Sequence, residues 1–272
     1  MDVSEVLEKA GDISFSNSAL AGFGIEAAVF FLLPLAAIFF MKKFSRARVY
    51  SMLVGVIVYF LAICITSLLA GLLGFAVSAA QRTVIAAEII CLFEEPGRWL
   101  AMKYPLTDIK TTYAAVCYGI GHGGLECFNR GIQRFSYILD GQTVNHKGIA
   151  AVVDTDSASR ASDIVKQYQY LAENTVLLSL LASVESIVIF CVHIALSLLI
   201  YKRLYEDHSI KRGLLPAIGL HYLINAASYL ASLSENGFLT RLAGIGAGLA
   251  VIAVVFRLIG FKQCVRELKD LS

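Results

Sequence analysis

The sequence predicts an all-α fold: a polytopic membrane helical bundle of about seven transmembrane helices, forming a single integral membrane domain over residues 1–272. Three observations carry this. Of the 272 residues, 57% are hydrophobic and only 16% are charged, against about a quarter charged in an ordinary soluble domain. Mean hydropathy is +0.70. Several runs also exceed the length of about 20 apolar residues that crosses a bilayer as helix. The lipid bilayer is therefore an expected partner. Nucleic acid is not, because the formal net charge is only +2 and no basic run interleaves with aromatics.

The amino-terminal segment, Met1 to Phe15, carries Asp2, Glu5, Glu8 and Asp12 against a lone Lys9. That is the reverse of a basic signal-peptide leader, so the first span is expected to be kept. Span one covers about 19–41 and is closed by Lys42, Lys43, Arg46 and Arg48. Span two, about 49–76, carries Gly55, Gly71 and Gly74, which suit close helix contact. Span three, about 81–102, holds the stretch Cys91-Leu-Phe-Glu-Glu-Pro-Gly-Arg-Trp-Leu100. Span four, about 111–130, contains Gly119-Ile-Gly-His-Gly-Gly-Leu-Glu126. A polar connection over 131–173 follows, with Asp154, Thr155, Asp156, Ser157 and Arg160, expected to be partly helical on the membrane surface. Span five, about 174–201, carries Glu185 and His193; span six, about 213–233, carries His221 and Asn225. Span seven, about 239–259, is glycine-rich with no polar side chain in its middle, and Arg257, Lys262, Arg266 and Lys269 mark its end and the tail.

Lys and Arg collect on cytoplasmic loops. Here they gather in the first, third and fifth connections and the tail, notably at Lys42, Lys43, Arg46, Arg48, Lys202, Arg203, Lys211 and Arg212. A multi-pass protein of the cell membrane with the amino terminus outside and the carboxyl terminus in the cytoplasm is expected. The cysteines at 64, 91, 117, 127, 191 and 264 show no CxxC or Cys/His spacing and read as small apolar packing residues.

Span three is the informative one. A charge at the bilayer centre costs roughly 2.5–3.5 kcal/mol, so Glu94, Glu95 and Arg98 must face protein or a wet cavity. Glu94 and Arg98 are four apart, share a helix face and can pair there, while Glu95 points about 100° away. Pro96 removes a backbone donor and crowds the carbonyl of Leu92, weakening the helix.

Counted inward from the cytoplasmic ends at about 1.5 Å per residue, the polar residues agree on a depth. Glu94 and Glu95 lie roughly 10–12 Å deep, His193 and His221 near 13 Å, His122 near 16 Å and Asn225 near 19 Å. Each has an inert reading. A lone membrane histidine, or Asn225, can simply hydrogen-bond a neighbouring helix; Glu94 and Arg98 can be a structural ion pair; Glu126 and Glu185 can orient nearby rings. His146 and His208 fall in loops and are expected to be inert. Three intramembrane histidines and two glutamates at matched depth on four helices argue instead for a shared site.

Such a set supports hydrolysis in two ways. His122, His193 and His221, or two of them with a carboxylate, make an open zinc site with room for water, and a nearby glutamate takes and returns the proton. Without metal, a glutamate and a histidine activate water directly, and a histidine with Asn225 holds the oxyanion. Neither HExxH nor GxSxG occurs.

In this pattern the chain resembles the superfamily of CAAX prenyl proteases and bacteriocin-processing or self-immunity membrane proteases, and within it the YhfC-type intramembrane metalloproteases. Glu94, Glu95 and Arg98 match the glutamate-pair-and-arginine motif, with only Pro96 and Gly97 intervening, where the CAAX branch usually has three residues. Tyr118 and His122 match the aromatic-then-histidine motif, Glu185 to His193 the third histidine-bearing span, and His221 with Asn225 the last motif. The resemblance covers about residues 85–230. It implies a helical fold with a buried hydrophilic cavity open to the cytoplasm. It also implies Glu94 or Glu95 with His122 as the water-activating pair, and His221 with Asn225 at the oxyanion.

The function expected is an intramembrane endopeptidase acting on a membrane-associated peptide or protein. Glu94, Glu95, His122, His221 and Asn225 are its catalytic candidates and His122, His193 and His221 its zinc ligands. Arg98, Glu126 and Glu185 are expected to support them. One rival is a proton- or cation-coupled transporter, although no internal repeat echoes Glu94-Glu95-Pro96 in the second half. Another is a non-catalytic membrane immunity or binding protein that keeps the fold.

Overall fold

The structure is a computed structural model that describes residues 2–40, 46–72, 85–155, 157–260, 262, 264 and 266. Lys42, Lys43, Gly74, Asp156 and Lys269 lie outside the described residues, as do the end of span one, the end of span two and the start of span three. The described chain is helical: α1 Val3–Ala10, α2 Asn17–Phe39, α3 Arg46–Leu72, α4 Cys91–Lys103, α5 Thr112–Lys147, α6 Ala158–Ala172, α7 Val176–Tyr205, α8 Ile210–Ser232 and α9 Gly237–Ile259, with a 3-10 turn at Ile149–Ala151.

Short polar residues start these helices. Asp2, Ser16, Thr111, Ser157, Thr175, Ser209 and Asn236 each accept a backbone N–H of the first turn, meeting donors the helix leaves open. Helix α4 has no such cap. A helical segment at 85–89 precedes it and the chain turns at Ile90, so its first N–H groups are served from that side: Glu94 N donates to Ile90 O at 3.0 Å.

Five described helices are long and apolar enough to cross a membrane: α2, α3 from Arg48, α7, α8 and α9. Their bounds lie within a few residues of spans one, two, five, six and seven wherever those spans are described. The expected count of seven rests on α4 and α5. The 13 residues of α4 reach only about 20 Å at 1.5 Å each, and α5 carries too many polar groups to qualify by hydropathy alone. The membrane bundle packs around α7, the most enclosed of the five, with 72% of its apolar stretch buried. Large apolar side chains such as Leu32, Phe39, Phe60, Leu68, Leu215 and Leu230 face outward, where a bilayer would cover them.

The 131–173 segment is not a loosely polar loop. Helix α5 runs on through Lys147 for 36 residues in all, about 54 Å of helix and well beyond a hydrocarbon core of about 30 Å. Its protruding half packs with α1, α6 and the start of α2 around Val6, Phe15, Phe23, Val144, Ile149 and Val165. Asn145 clasps Phe15, accepting its N–H at 2.7 Å and donating to its carbonyl at 2.8 Å. The outcome is a small helical cap over one end of the bundle.

Glycines let α5 come close to its neighbours, as the GIGHGG run suggests. A Cβ at Gly121 would sit 2.0 Å from the Met52 carbonyl oxygen, one at Gly55 2.3 Å from that of Tyr118, and one at Gly119 2.6 Å from Ile194 Cα. Backbone therefore meets backbone on both flanks of His122. Gly121→Ala or Gly55→Ala is expected to push α3 from α5 and cost about 1–3 kcal/mol, as overpacking does. Thermal unfolding of the purified variants in detergent reads this loss. Gly246→Ala, where a Cβ meets nothing within 4 Å, serves as the neutral control.

Candidate active site

The site is built by α4, α5, α7 and α8. Glu94, Glu95 and Arg98 come from the first two turns of α4, His122 and Glu126 from α5, His193 and Ser197 from α7, and His221 from α8. Glu95, Arg98 and His122 have no exposed surface, and His221 is the most open of the three histidines at 7%. The imidazoles stand side by side, with ring centres 4.8 Å apart for His122 and His193, and 5.5 Å for His193 and His221. The convergence expected from depth alone is thus present.

The pairing inside it differs from the i,i+4 expectation. Arg98 engages Glu95, with Nε 3.0 Å from Oε2 and Nη2 donating to Oε1 at 3.2 Å. Residues three apart also share a helix face, and Glu94 is turned away toward α5, where His122 Nε2 lies 3.0 Å from its Oε2. Arg98 Nη1 donates to the His193 carbonyl and to Ser197 Oγ, both at 2.6 Å, and Nη2 reaches His193 Nδ1 at 3.1 Å. One guanidinium therefore ties α4 to α7.

His221 Nδ1 lies 2.9 Å from Glu95 Oε1 and 3.7 Å from Glu94 Oε2. Glu126 does not orient His122. Its Oε2 lies 2.5 Å from His193 Nε2, and its Oε1 accepts from Arg130 Nη2 at 2.5 Å. The 3.6-residue spacing placed Glu126 on the face of His122, but α7 supplies a ring on that same side. His122 packs instead between aromatic rings, stacked on Tyr118 at 5.9 Å and edge-on to Tyr59 at 5.4 Å.

Asn225 borders the cavity beside His221, with one amide hydrogen donated to the Ala87 carbonyl at 2.7 Å. Glu185 accepts from Arg241 Nη1 at 2.7 Å and is not bonded to His193, which lies two turns along α7. His146 ends α5, and His208 sits in a left-handed turn at φ 49°; neither joins the cluster.

A cavity of about 320 Å³ opens on the cluster, lined by Glu88, Glu126, His193, His221, Asn225 and Ser228 among others. It runs from the imidazoles along α7 and α8 toward the capped end, not toward the Lys/Arg-rich end expected to be cytoplasmic. The resemblance implied a cytoplasmic opening. Here the other α8 residues that line the cavity, among them Asn225, Ser228 and Tyr229, lie on the capped side of His221. A second cavity of similar size lies between cap and bundle, lined by Glu26, Arg134, Tyr137, Tyr170 and Asn174, and Arg241 borders both. Sequence reading missed Arg130, Arg134 and Arg241. The signal was an arginine at or near a predicted span end, where a side chain can equally reach solvent.

The donors fit a metal ion. Glu94 with His122 and His193, and Glu94 with Glu95 and His221, each bring their ligand atoms within 4.8 Å of one another. Imidazole and carboxylate are zinc donors, and buried His122 Nδ1 has no hydrogen-bond partner among the described residues. A model of the YhfC intramembrane metalloprotease family matches residues 29–246. The chain belongs to that family. The match extends well beyond residues 85–230, taking in the second half of α2, all of α3 and the first part of α9, so the YhfC relation covers scaffold as well as site. An uncharacterized membrane protein YhfC of Bacillus subtilis (strain 168) is 26% identical over 255 residues, covering 88% of this chain and 94% of that protein. No solved structure matches.

Proposed function

We propose that this YhfC-family protein is an intramembrane endopeptidase that hydrolyses a peptide bond of a membrane-associated peptide or protein. The observation that carries the reading is the asymmetry of the two glutamates. Glu95 is held by Arg98, whereas Glu94 meets no guanidinium among the described residues and lies between His122 and His221. Its Oε1 makes no hydrogen bond among the described residues. Glu94 is therefore the carboxylate free to take a proton from water and pass it to the leaving amine. Glu95, ion-paired and bonded to His221, orients that ring.

His122 and His221, each with a ring nitrogen left open, are the imidazoles that would hold a zinc ion. Zinc bound there would lower the pKa of its water and polarise the substrate carbonyl. Each histidine is set for this by a carboxylate on one ring nitrogen, the arrangement that fixes ring orientation in metal sites. Asn225, beside His221 at the cavity wall, keeps one amide hydrogen for a developing oxyanion. In the orientation expected from the Lys/Arg bias, with the amino terminus outside, the cavity leads from the site toward the outer face.

The test is purification in detergent, metal analysis, and a cleavage screen against membrane-spanning peptides. Wild type is expected to carry stoichiometric zinc and to cut at least one peptide, and His221→Ala to lose both. Equal cleavage by the two proteins would remove the reading.

A further inference from the structure

The three histidines are not equivalent, and their hydrogen bonds say which one stands apart. His221 has Nδ1 on Glu95, while its Nε2 makes no hydrogen bond among the described residues. His122 has Nε2 on Glu94 and an Nδ1 without a partner among the described residues. Each therefore pairs one nitrogen with a carboxylate and leaves the other open. His193 has neither nitrogen open: Arg98 Nη2 lies 3.1 Å from Nδ1 and Glu126 Oε2 lies 2.5 Å from Nε2.

The polarity of those two contacts fixes the ring. A guanidinium has five N–H donors and no acceptor, so Nδ1 must be the bare nitrogen that receives its hydrogen bond. The proton then sits on Nε2 and is donated to Glu126. A ring protonated at both nitrogens would set N–H against N–H at Arg98. A metal on Nε2 would displace the proton that Glu126 receives and leave both ring nitrogens without hydrogen, flanked by a cation on either side. Ligating histidines do the opposite and donate their second N–H to an acceptor.

We infer that His193 is not a metal ligand but a positioning residue, locked as the Nε2–H tautomer, that passes the hold of Arg98 on to Glu126. The inference rests on the metallopeptidase reading above and revises the ligand set expected from sequence. It also connects residues that the reaction does not otherwise use. Glu95, Arg98, His193, Glu126 and Arg130 form one continuous chain of ion pairs and hydrogen bonds across α4, α7 and α5. Three of its members, His193, Glu126 and Arg130, line the cavity.

Glutamine is the discriminating substitution, because its amide can accept from Arg98 and donate to Glu126 yet is a poor zinc ligand. In detergent-purified protein, His193→Gln is expected to keep zinc within about twofold of wild type, while His122→Gln and His221→Gln lose tenfold or more. His193→Leu, which satisfies neither partner, is expected to unfold at lower temperature than His193→Gln. Zinc lost from folded His193→Gln as fully as from His122→Gln would overturn the inference. Nitrogen-15 NMR of histidine-labelled wild type gives a second, metal-independent readout. A bare Nδ1 and protonated Nε2 at His193 are expected, and a protonated Nδ1 would overturn the assignment even if the glutamine variant fails to fold. Wild type without zinc but with the expected tautomer would fail the metallopeptidase reading and leave the positioning role standing.

Discussion

Glu94→Gln is expected to reduce peptide cleavage by about 10²- to 10⁴-fold, the range lost with a general base, while leaving the fold intact. The amide is the same size and can still hydrogen-bond His122, so the packing of α4 against α5 survives. What disappears is a group able to accept a proton between the two rings. The measurement is the cleavage rate beside thermal unfolding of the same preparation. Loss of rate with an unchanged melting temperature places Glu94 in the chemistry, whereas an active glutamine variant would end its role as base. Glu95→Gln should behave differently, because its charge is matched to Arg98. Its first effect is on stability, and activity follows.

Removing Arg98 is expected to be the most damaging change to the fold. Arg98→Met deletes the partner of Glu95 and the donor to the His193 carbonyl and ring and to Ser197 Oγ, all in a site where the side chain has no exposed surface. Breaking a buried ion pair from one side costs about 3–5 kcal/mol, because the other charge is stranded. The double variant Arg98→Met with Glu95→Gln should recover part of that loss, and the cycle of four proteins isolates the pair. Arg98→Lys is expected to fall between, since an ammonium cannot reach Glu95, His193 and Ser197 together. Thermal unfolding in detergent and the yield of folded protein check both. A single Arg98→Met variant as stable as wild type would show that the tie between α4 and α7 carries little.

Much of this was legible before the structure. Hydrophobic runs placed five of the membrane helices to within a few residues, because a bilayer leaves little freedom in where a helix enters and leaves. Depth counting found His122, His193, His221 and the glutamate pair, since rise per residue is fixed. What one chain cannot show is how far each helix is rotated against its neighbours. For that reason Glu94 was matched to Arg98 and Glu126 to His122, when α5 and α7 supply nearer partners. The cap was hidden for a related reason. Beyond Arg130 the apolar stripe of α5 narrows to the positions that meet α1 and α6, such as Val144, and a mixed composition of that kind reads equally as loop. Arg241 escaped notice because it sits at the start of a largely apolar span, where an arginine can reach solvent, and its partner Glu185 is 56 residues away.

The narrowness of the chamber above the imidazoles has a consequence for selection. At about 320 Å³ it holds only a few side chains, and an α-helix is about 10–12 Å across with its side chains. On the hydrolytic reading, a membrane segment cannot arrive coiled; it must unravel before its backbone meets Glu94. The work of unravelling is least where glycine or proline already weakens a helix. Discrimination would then be set by how readily a candidate comes apart, with the residues beside the cut bond counting for less.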